Sequence, residues 1–351
     1  MARSNRVSVP NGTYHVTTRI VNRERWLADG GFKDEIVSWL YGVAEFSGVE
    51  LLAWCVMDNH LHLLVHVPTI PAEYRLDPSA APASHAFGMR PPECNAPLWC
   101  RPGDRPRPAA RPETGFALPD DELRRRLVAL LGSRAASAHL RRWERMRAEG
   151  ASGAAAAEID RHCRRMYNLS QFVKTLKERI ARGVKARRPH VGHVFEGRFH
   201  SGLVEDAARE LVSLYIDYNP RKAGLVEDGG NYRWSSFGVA CGDGPRAAAC
   251  RAAYERLYHR PWEEVRERIL AAFHARLPRG EDVERRLERG EITLTPAQLV
   301  KLRVPALSHG AYIARSVAFG HDVVRRLGRG FPCPSPRSLA WLVARVRWAA
   351  A

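Results

Sequence analysis

At 351 residues the chain has room for one large domain or two ordinary ones, each able to bury a core. Its 55 Lys plus Arg against 38 Asp plus Glu leave a formal charge of +17 and a pI of about 10.1, which favours a polyanionic partner, nucleic acid before a membrane surface; the Arg- and Ala-rich drift of a GC-rich genome gives the same balance. Seven irregularly spaced cysteines exclude a disulfide scaffold or zinc ribbon. With no apolar leader after Met1 and no long apolar run, they predict a soluble chain in a reduced, cytoplasmic compartment, off the membrane.

In chain order, residues 12–21 are β-branched and follow a Pro10-Asn11-Gly12 turn signal, which predicts a strand. His15 lies on it and reads as a structural hydrogen-bonder. Residues 32–46 place Ile36, Leu40, Val43 and Ala44 on one helical stripe, stopped by Gly48. Residues 49–57 form a second strand, turning at Asp58-Asn59 into a third that ends before Pro68. In that third strand Leu61, Leu63, Val65 and Val67 face one way and His60, His62, Leu64 and His66 the other. Two imidazoles two residues apart can hold one divalent cation, although buried histidines on strands are common without any metal. The β-α-β-β beginning predicts an α+β fold, a ferredoxin-like antiparallel sheet with helices on one face.

From Pro68 to about Pro119 the texture is Pro, Arg and Ala without periodicity, which predicts a linker or disordered loop. Residues 120–149 read as charged and helical, with Leu123, Leu127, Leu130 and Leu131 as the apolar stripe, an insertion interrupting the first domain. In the next helix Leu169, Phe172, Val173, Leu176, Ile180 and Val184 recur at helical spacing. Lys174, Lys177, Lys185, Arg187 and Arg188 lie off that stripe, as a solvated face or as contacts to DNA phosphates. Residues 192–204 interleave aromatics with Arg198 and read as a loop entering the last strand of the sheet.

The helix from Asp206 carries Leu211, Leu214, Tyr215 and Tyr218 on one face and is expected to end at Asn219, before Pro220. Tyr215 and Asn219 stand one turn apart, a phenol able to act as nucleophile beside an amide oxygen able to ligate a hard metal. Read alone, the two tyrosines are core aromatics; with His60 and His62 they suggest a site. Residues 262–273 and 318–327 are helical enough to hide a helix-turn-helix, though no turn signature separates such a pair.

The ordered set Tyr14-His15-Val16-Thr17-x-Arg19, His60-Leu61-His62, Phe195-Glu196-Gly197-Arg198-Phe199, Tyr215-Ile216-Asp217-Tyr218-Asn219-Pro220-Arg221-Lys222-Ala223-Gly224-Leu225-Val226 and Tyr232-Arg233-Trp234-Ser235-Ser236 resembles the REP-associated tyrosine transposases. These are bacterial members of the single-tyrosine HUH (His-hydrophobic-His) transposase superfamily. The resemblance runs from about Tyr14 to Phe237, broken by an insertion that is long for the family, and residues 177–184 lack aromatics often found there.

That resemblance implies an HUH nuclease domain made of residues 1–68 and 166–240, with residues 69–165 as a Pro/Arg-rich and helical insertion and 241–351 as a helical C-terminal extension. It implies Tyr215 as nucleophile, His60, His62 and Asn219 as ligands of magnesium or manganese, and Arg198, Arg221 and Lys222 beside the helix cations as DNA contacts. A phenol with pKa near ~10 is a poor nucleophile unaided, so a cation polarising the phosphate suits this chemistry, and no Gly-rich phosphate loop is needed. The implied activity is nicking and strand transfer on single-stranded or hairpin DNA such as REP-like palindromes, through a 5′-phosphotyrosine, in a nucleoid-associated protein. A domesticated hairpin-binding protein that no longer cuts, and a regulator of double-stranded DNA, are the alternatives. Monomer and homodimer are both compatible with the pattern.

Overall fold

The computed structural model of the protein describes residues 9–76, 115–189, 192–277, 286, 294–301 and 312–313. The chain divides into two compact units. One comprises Met1–Asn11, Gly42–Val49 and Val67–Phe172; the other comprises Gly12–Tyr41, Glu50–His66 and Val173–Ala351.

The first unit is helical. The C-terminal part of α1 (Gly30–Ser47) joins α2 (Asp120–Leu131), α3 (Ser133–Ala148) and α4 (Ser152–Cys163). Leu123, Leu127 and Leu130 are buried as their spacing predicts, and Leu131 is half-buried. The helical stretch expected over residues 120–149 is two helices, broken at Gly132. Its φ of +82° is open to glycine but costs other residues about 1–2 kcal/mol, so the chain turns there rather than continuing. Arg126 is buried without an unmet charge, since Glu122 accepts from it at 2.6 Å and Tyr167 Oη at 2.7 Å. Of the linker or disordered loop expected from Pro68 to about Pro119, residues 77–114 lie outside the described residues, whereas its two ends are ordered against each other, Ala117 N donating to Tyr74 O at 2.8 Å with Ile70 and Phe116 buried.

The second unit carries a sheet of β1 (Gly12–Arg19), β2 (Glu50–Val56), β3 (His60–Val67), β4 (His200–Val204) and β5 (Tyr312–Ile313), in the order β2-β3-β1-β4-β5. The pairs β2–β3 and β1–β4 are antiparallel. Thr13 meets His66 at one end of the β1–β3 seam and Ile20 N donates to Asn59 O at the other, so these strands are antiparallel too. With α1 after β1 and α5 (Leu169–Arg187) before β4, the first four strands have βαββαβ connectivity and ferredoxin-like order, as expected for the α+β class. The loop over residues 192–199 does enter β4, but β4 is not the last strand, because β5 adds in parallel at its edge.

Trp54 pairs with Leu63 and Cys55 with His62, so these pairs mark opposite faces of the sheet. Tyr41 of α1 rests edge-on against Trp54 at 6.0 Å between centroids, which places α1 on the Leu63 face. α5 meets α1 at Gly183, where an added Cβ would lie 2.6 Å from Phe32 and 2.8 Å from Trp39. In an open helix Gly→Ala gains ~1 kcal/mol. Here Gly183→Ala is expected to lose about 1–3 kcal/mol in chemical denaturation, and a gain would mean that the two helices do not touch at this point.

The expectation of helices on one face only is corrected. The His62 face is covered by α6 (Arg209–Lys222), α7 (Ser236–Cys241), α8 (Ala247–Tyr258) and α9 (Trp262–His274). Leu211, Ile216, Phe237, Tyr254, Ile269 and Phe273 of these helices share one core with Leu52, Leu64 and Val204 of the sheet. Each fully buried aliphatic chain contributes about 1.5–3 kcal/mol, enough for this second layer to fix α6 against the strands.

α6 also corrects the expected stop at Asn219, since it runs to Lys222 with Pro220 inside. Pro220 forfeits one N–H bond, but little helix follows it. Ala223 N donates to Asn219 O at 2.9 Å, and Gly224 at φ +69° closes the end. Of the two C-terminal helices expected, the first is α9, and residues 318–327 lie outside the described residues. No helix among the described residues is long and apolar enough to cross a membrane.

Candidate active site

The site begins at the turn before β3. Asp58 accepts from Lys33 Nζ at 2.6 Å and pairs with Arg25, while Leu27 N donates to its carbonyl at 2.9 Å. Asn59 Nδ2 donates to Arg23 O at 2.9 Å. These bonds fix the first residue of β3, and strand alternation then presents His60 and His62 on one face. Their ring centroids lie 4.8 Å apart at 82°, a separation that suits one shared cation. His60 Nδ1 lies 2.6 Å from Asn59 Oδ1, and His62 Nδ1 lies 3.1 Å from His15 Nε2. Burial, with the charge of Arg19 adding to it, pulls His60 down to about 4, so its imidazole is neutral and fit to ligate at physiological pH.

α6 crosses this face. Tyr215 stands edge-on to His62 at 5.6 Å and to His15 at 5.8 Å between centroids. Asn219, one turn on, donates from Nδ2 to Tyr215 O at 2.7 Å, so Oδ1 is the atom of this side chain that could meet a cation. The structure therefore brings His60, His62 and Tyr215 together, with Asn219 on the same row of the helix as Tyr215. Among the described residues no three His, Cys, Asp or Glu side chains converge on a metal position. Two neutral imidazoles plus an amide oxygen form a donor set that fits a divalent cation and leaves positions open to phosphate oxygens.

Two residues that sequence reasoning missed stand in this group. His15 was read as structural, and Asn59 as part of a turn. The His15 contact depends on β1 lying beside β3, which no local pattern states, whereas Asn59 meets its immediate neighbour His60.

Asp217, two residues from Tyr215, points to the other side of α6. It is 1% exposed, Tyr254 Oη donates to its Oδ1 at 2.7 Å, and Oδ2 has no hydrogen-bond partner among the described residues. Burial pushes its pKa up to about 8. The folded chain then keeps a proton that the unfolded chain, with a pKa of about 3.9, releases. This carboxyl lowers stability progressively from about pH 4 to about pH 8, with no further change above. Denaturation midpoints should fall over that range in the wild type and stay flatter in Asp217→Asn; equal slopes would mean that the carboxyl is ionised in the fold.

Exposure and pairing overlap among the cations, since Lys174 reaches Glu178 at 3.9 Å and Arg187 is exposed as well as paired. Lys174, Lys185, Arg188, Arg198 and Lys222 are exposed. Lys177 donates to Gly197 O at 2.6 Å and covers the Phe195 ring, Arg187 pairs with Glu35, and Arg221 donates to Glu227 O at 2.5 Å, so these three hold the fold. An open cavity of 180 Å³ beside His60 is lined by Thr17, Arg19, Glu196, Arg198 and His200 among others. Arg19 adds a guanidinium to this lining beside His60.

Residues 8–72 match the family model described as "Transposase IS200 like", in keeping with the resemblance read from the motifs. The match contains His15, Arg19, His60 and His62 and ends before the tyrosine helix. No curated protein matches the chain. A solved structure described as "Structure of the REP associates tyrosine transposase bound to a REP hairpin" is similar at 12% identity and a TM-score of 0.35, over 68% of this chain and 84% of that one.

Proposed function

We propose, from the transposase match at residues 8–72 and the site beside it, that the protein is a metal-dependent enzyme that nicks and rejoins single-stranded DNA, hairpins of the REP-like kind included. The observation that carries this reading is the meeting of Tyr215 with the paired His60 and His62. His60, His62 and Asn219 would hold a magnesium or manganese ion, which when bound polarises the scissile phosphate and offsets its charge.

The chain's own residues do the rest. Tyr215 Oη attacks phosphorus in line; the Oη–P bond forms as the P–O3′ bond breaks. The phenolic proton passes to water, and the departing 3′ oxygen takes up a proton and leaves as a hydroxyl. The 5′-phosphotyrosine keeps the energy of the phosphodiester for rejoining to a second 3′-hydroxyl. Packing of α6 on the sheet keeps the phenol 9% exposed and in one position, which favours a single line of attack. Arg19 and Arg198 offer positive charge to the flanking phosphates in the cavity beside His60, and Lys174, Lys185, Arg188 and Lys222 extend that charge over the surface. On this reading residues 1–68 and 166–240 form the catalytic domain.

The test is cleavage of end-labelled hairpin and linear single strands with Mg²⁺, Mn²⁺ or EDTA. Nicking in either metal and none in EDTA is expected, with hairpin binding retained in both. Tight hairpin binding without nicking in any metal would replace this reading with that of a protein that binds hairpins and no longer cuts.

A further inference from the structure

We infer that His15 is a positioning residue that fixes the tautomer and ring orientation of His62 for metal binding; this rests on the metal-dependent reading above. The His15 Nε2 to His62 Nδ1 separation is 3.1 Å. A ring nitrogen engaged in that bond is not on a cation, so His62 meets the ion through Nε2 alone. His60 is arranged alike, with Nδ1 2.6 Å from Asn59 Oδ1. A side-chain amide oxygen only accepts, so His60 carries its proton on Nδ1 and also presents Nε2. For His62 to do the same, its Nδ1–H donates to His15 Nε2, and His15 then carries its own proton on Nδ1. The turn before β3 thus supplies one acceptor and the neighbouring strand β1 the other, and both imidazoles present the same nitrogen.

The same bond excludes His15 as the third ligand, because its Nε2 is directed at His62. The two rings are nearly parallel, at 15° with centroids 5.3 Å apart. His15 is 1% exposed, so His62 cannot turn about its ring axis without displacing a packed neighbour. His15 also meets the edge of Tyr215 at 5.8 Å. One ring therefore touches both His62 and Tyr215, which also meet each other directly at 5.6 Å.

The experiment is Mn²⁺ titration by calorimetry on the full chain without DNA, comparing wild type, His15→Leu and His15→Gln, with thermal melting in EDTA to establish that each is folded. Leucine fills the space but accepts nothing; glutamine Oε1 accepts from His62 Nδ1–H. His15→Leu is expected to weaken Mn²⁺ binding about 10–100-fold, and His15→Gln to stay close to wild type. Wild-type affinity in His15→Leu would overturn the inference, and so would equal losses in both variants, which mark bulk packing rather than an acceptor. If the wild type itself takes up no Mn²⁺, the metal reading fails and the inference with it. That result is distinct from a loss confined to the His15 variants.

Discussion

Tyr215→Phe is expected to abolish covalent capture of DNA and to lower nicking by more than about a thousand-fold, with hairpin affinity unchanged. The substitution removes one oxygen. The ring that stands against His62 and His15 stays, and the Asn219 bond to the residue 215 carbonyl is a main-chain contact that phenylalanine also supplies. The loss is therefore chemical, since no other hydroxyl on the site face of α6 replaces it. Tyr218 provides the control. Its ring stacks on Phe273 at 5.5 Å within the helical layer, so Tyr218→Phe should nick like the wild type. Denaturing gels of labelled strands read both, and nicking by Tyr215→Phe at more than a tenth of the wild-type rate would assign the nucleophile elsewhere.

The second large effect is expected at His60. His60→Ala removes one of two imidazoles and leaves Asn59 Oδ1 at the surface end of the strand, so the fold loses little. Losing a cation that supplies several kcal/mol of charge stabilisation lowers nicking by about a hundred-fold or more. Raising Mn²⁺ should recover part of that loss, because the defect lies in occupancy. His66 shares the strand and the face but is bonded to Thr13 at 3.1 Å, at the far end of β1. His66→Ala should therefore leave nicking unchanged. Equal losses at His60 and His66 would point to general damage to β3 rather than to a ligand.

Much of the fold was legible because periodicity reports burial. The β-α-β-β start, the His strand, the stripe from Phe172 to Val184 and the α6 face carrying Tyr215 all follow from which residues avoid water. What sequence spacing did not report was adjacency. β1 lies between β3 and β4, so His15 meets His62 across 47 positions of chain, and a lone histidine on a strand carries no sign of that. The second helical layer was missed for a similar reason. β3 is apolar on one face and bears histidines on the other, which reads as one buried and one open side, yet Leu64 on the histidine face packs into the core of α6 to α9 and Tyr215 meets His62, while His60 and His66 stay half-exposed. Local rules also gave way to context at two points. Pro220 is tolerated because it stands in the last turn of α6, and Gly132 breaks a run whose composition is otherwise helical throughout.

Mapping the covalent adduct tests the central claim most directly. The protein would be reacted with a 5′-overhanging hairpin in Mn²⁺, digested with nuclease and trypsin, and sequenced by tandem mass spectrometry. Residues 210–221 form one tryptic peptide containing both Tyr215 and Tyr218, so fragmentation separates the two. The expected result is a nucleotide phosphate on Tyr215 alone. A nucleotide on Tyr218 or on any other residue, or DNA cut with no protein adduct at all, would contradict the tyrosine mechanism.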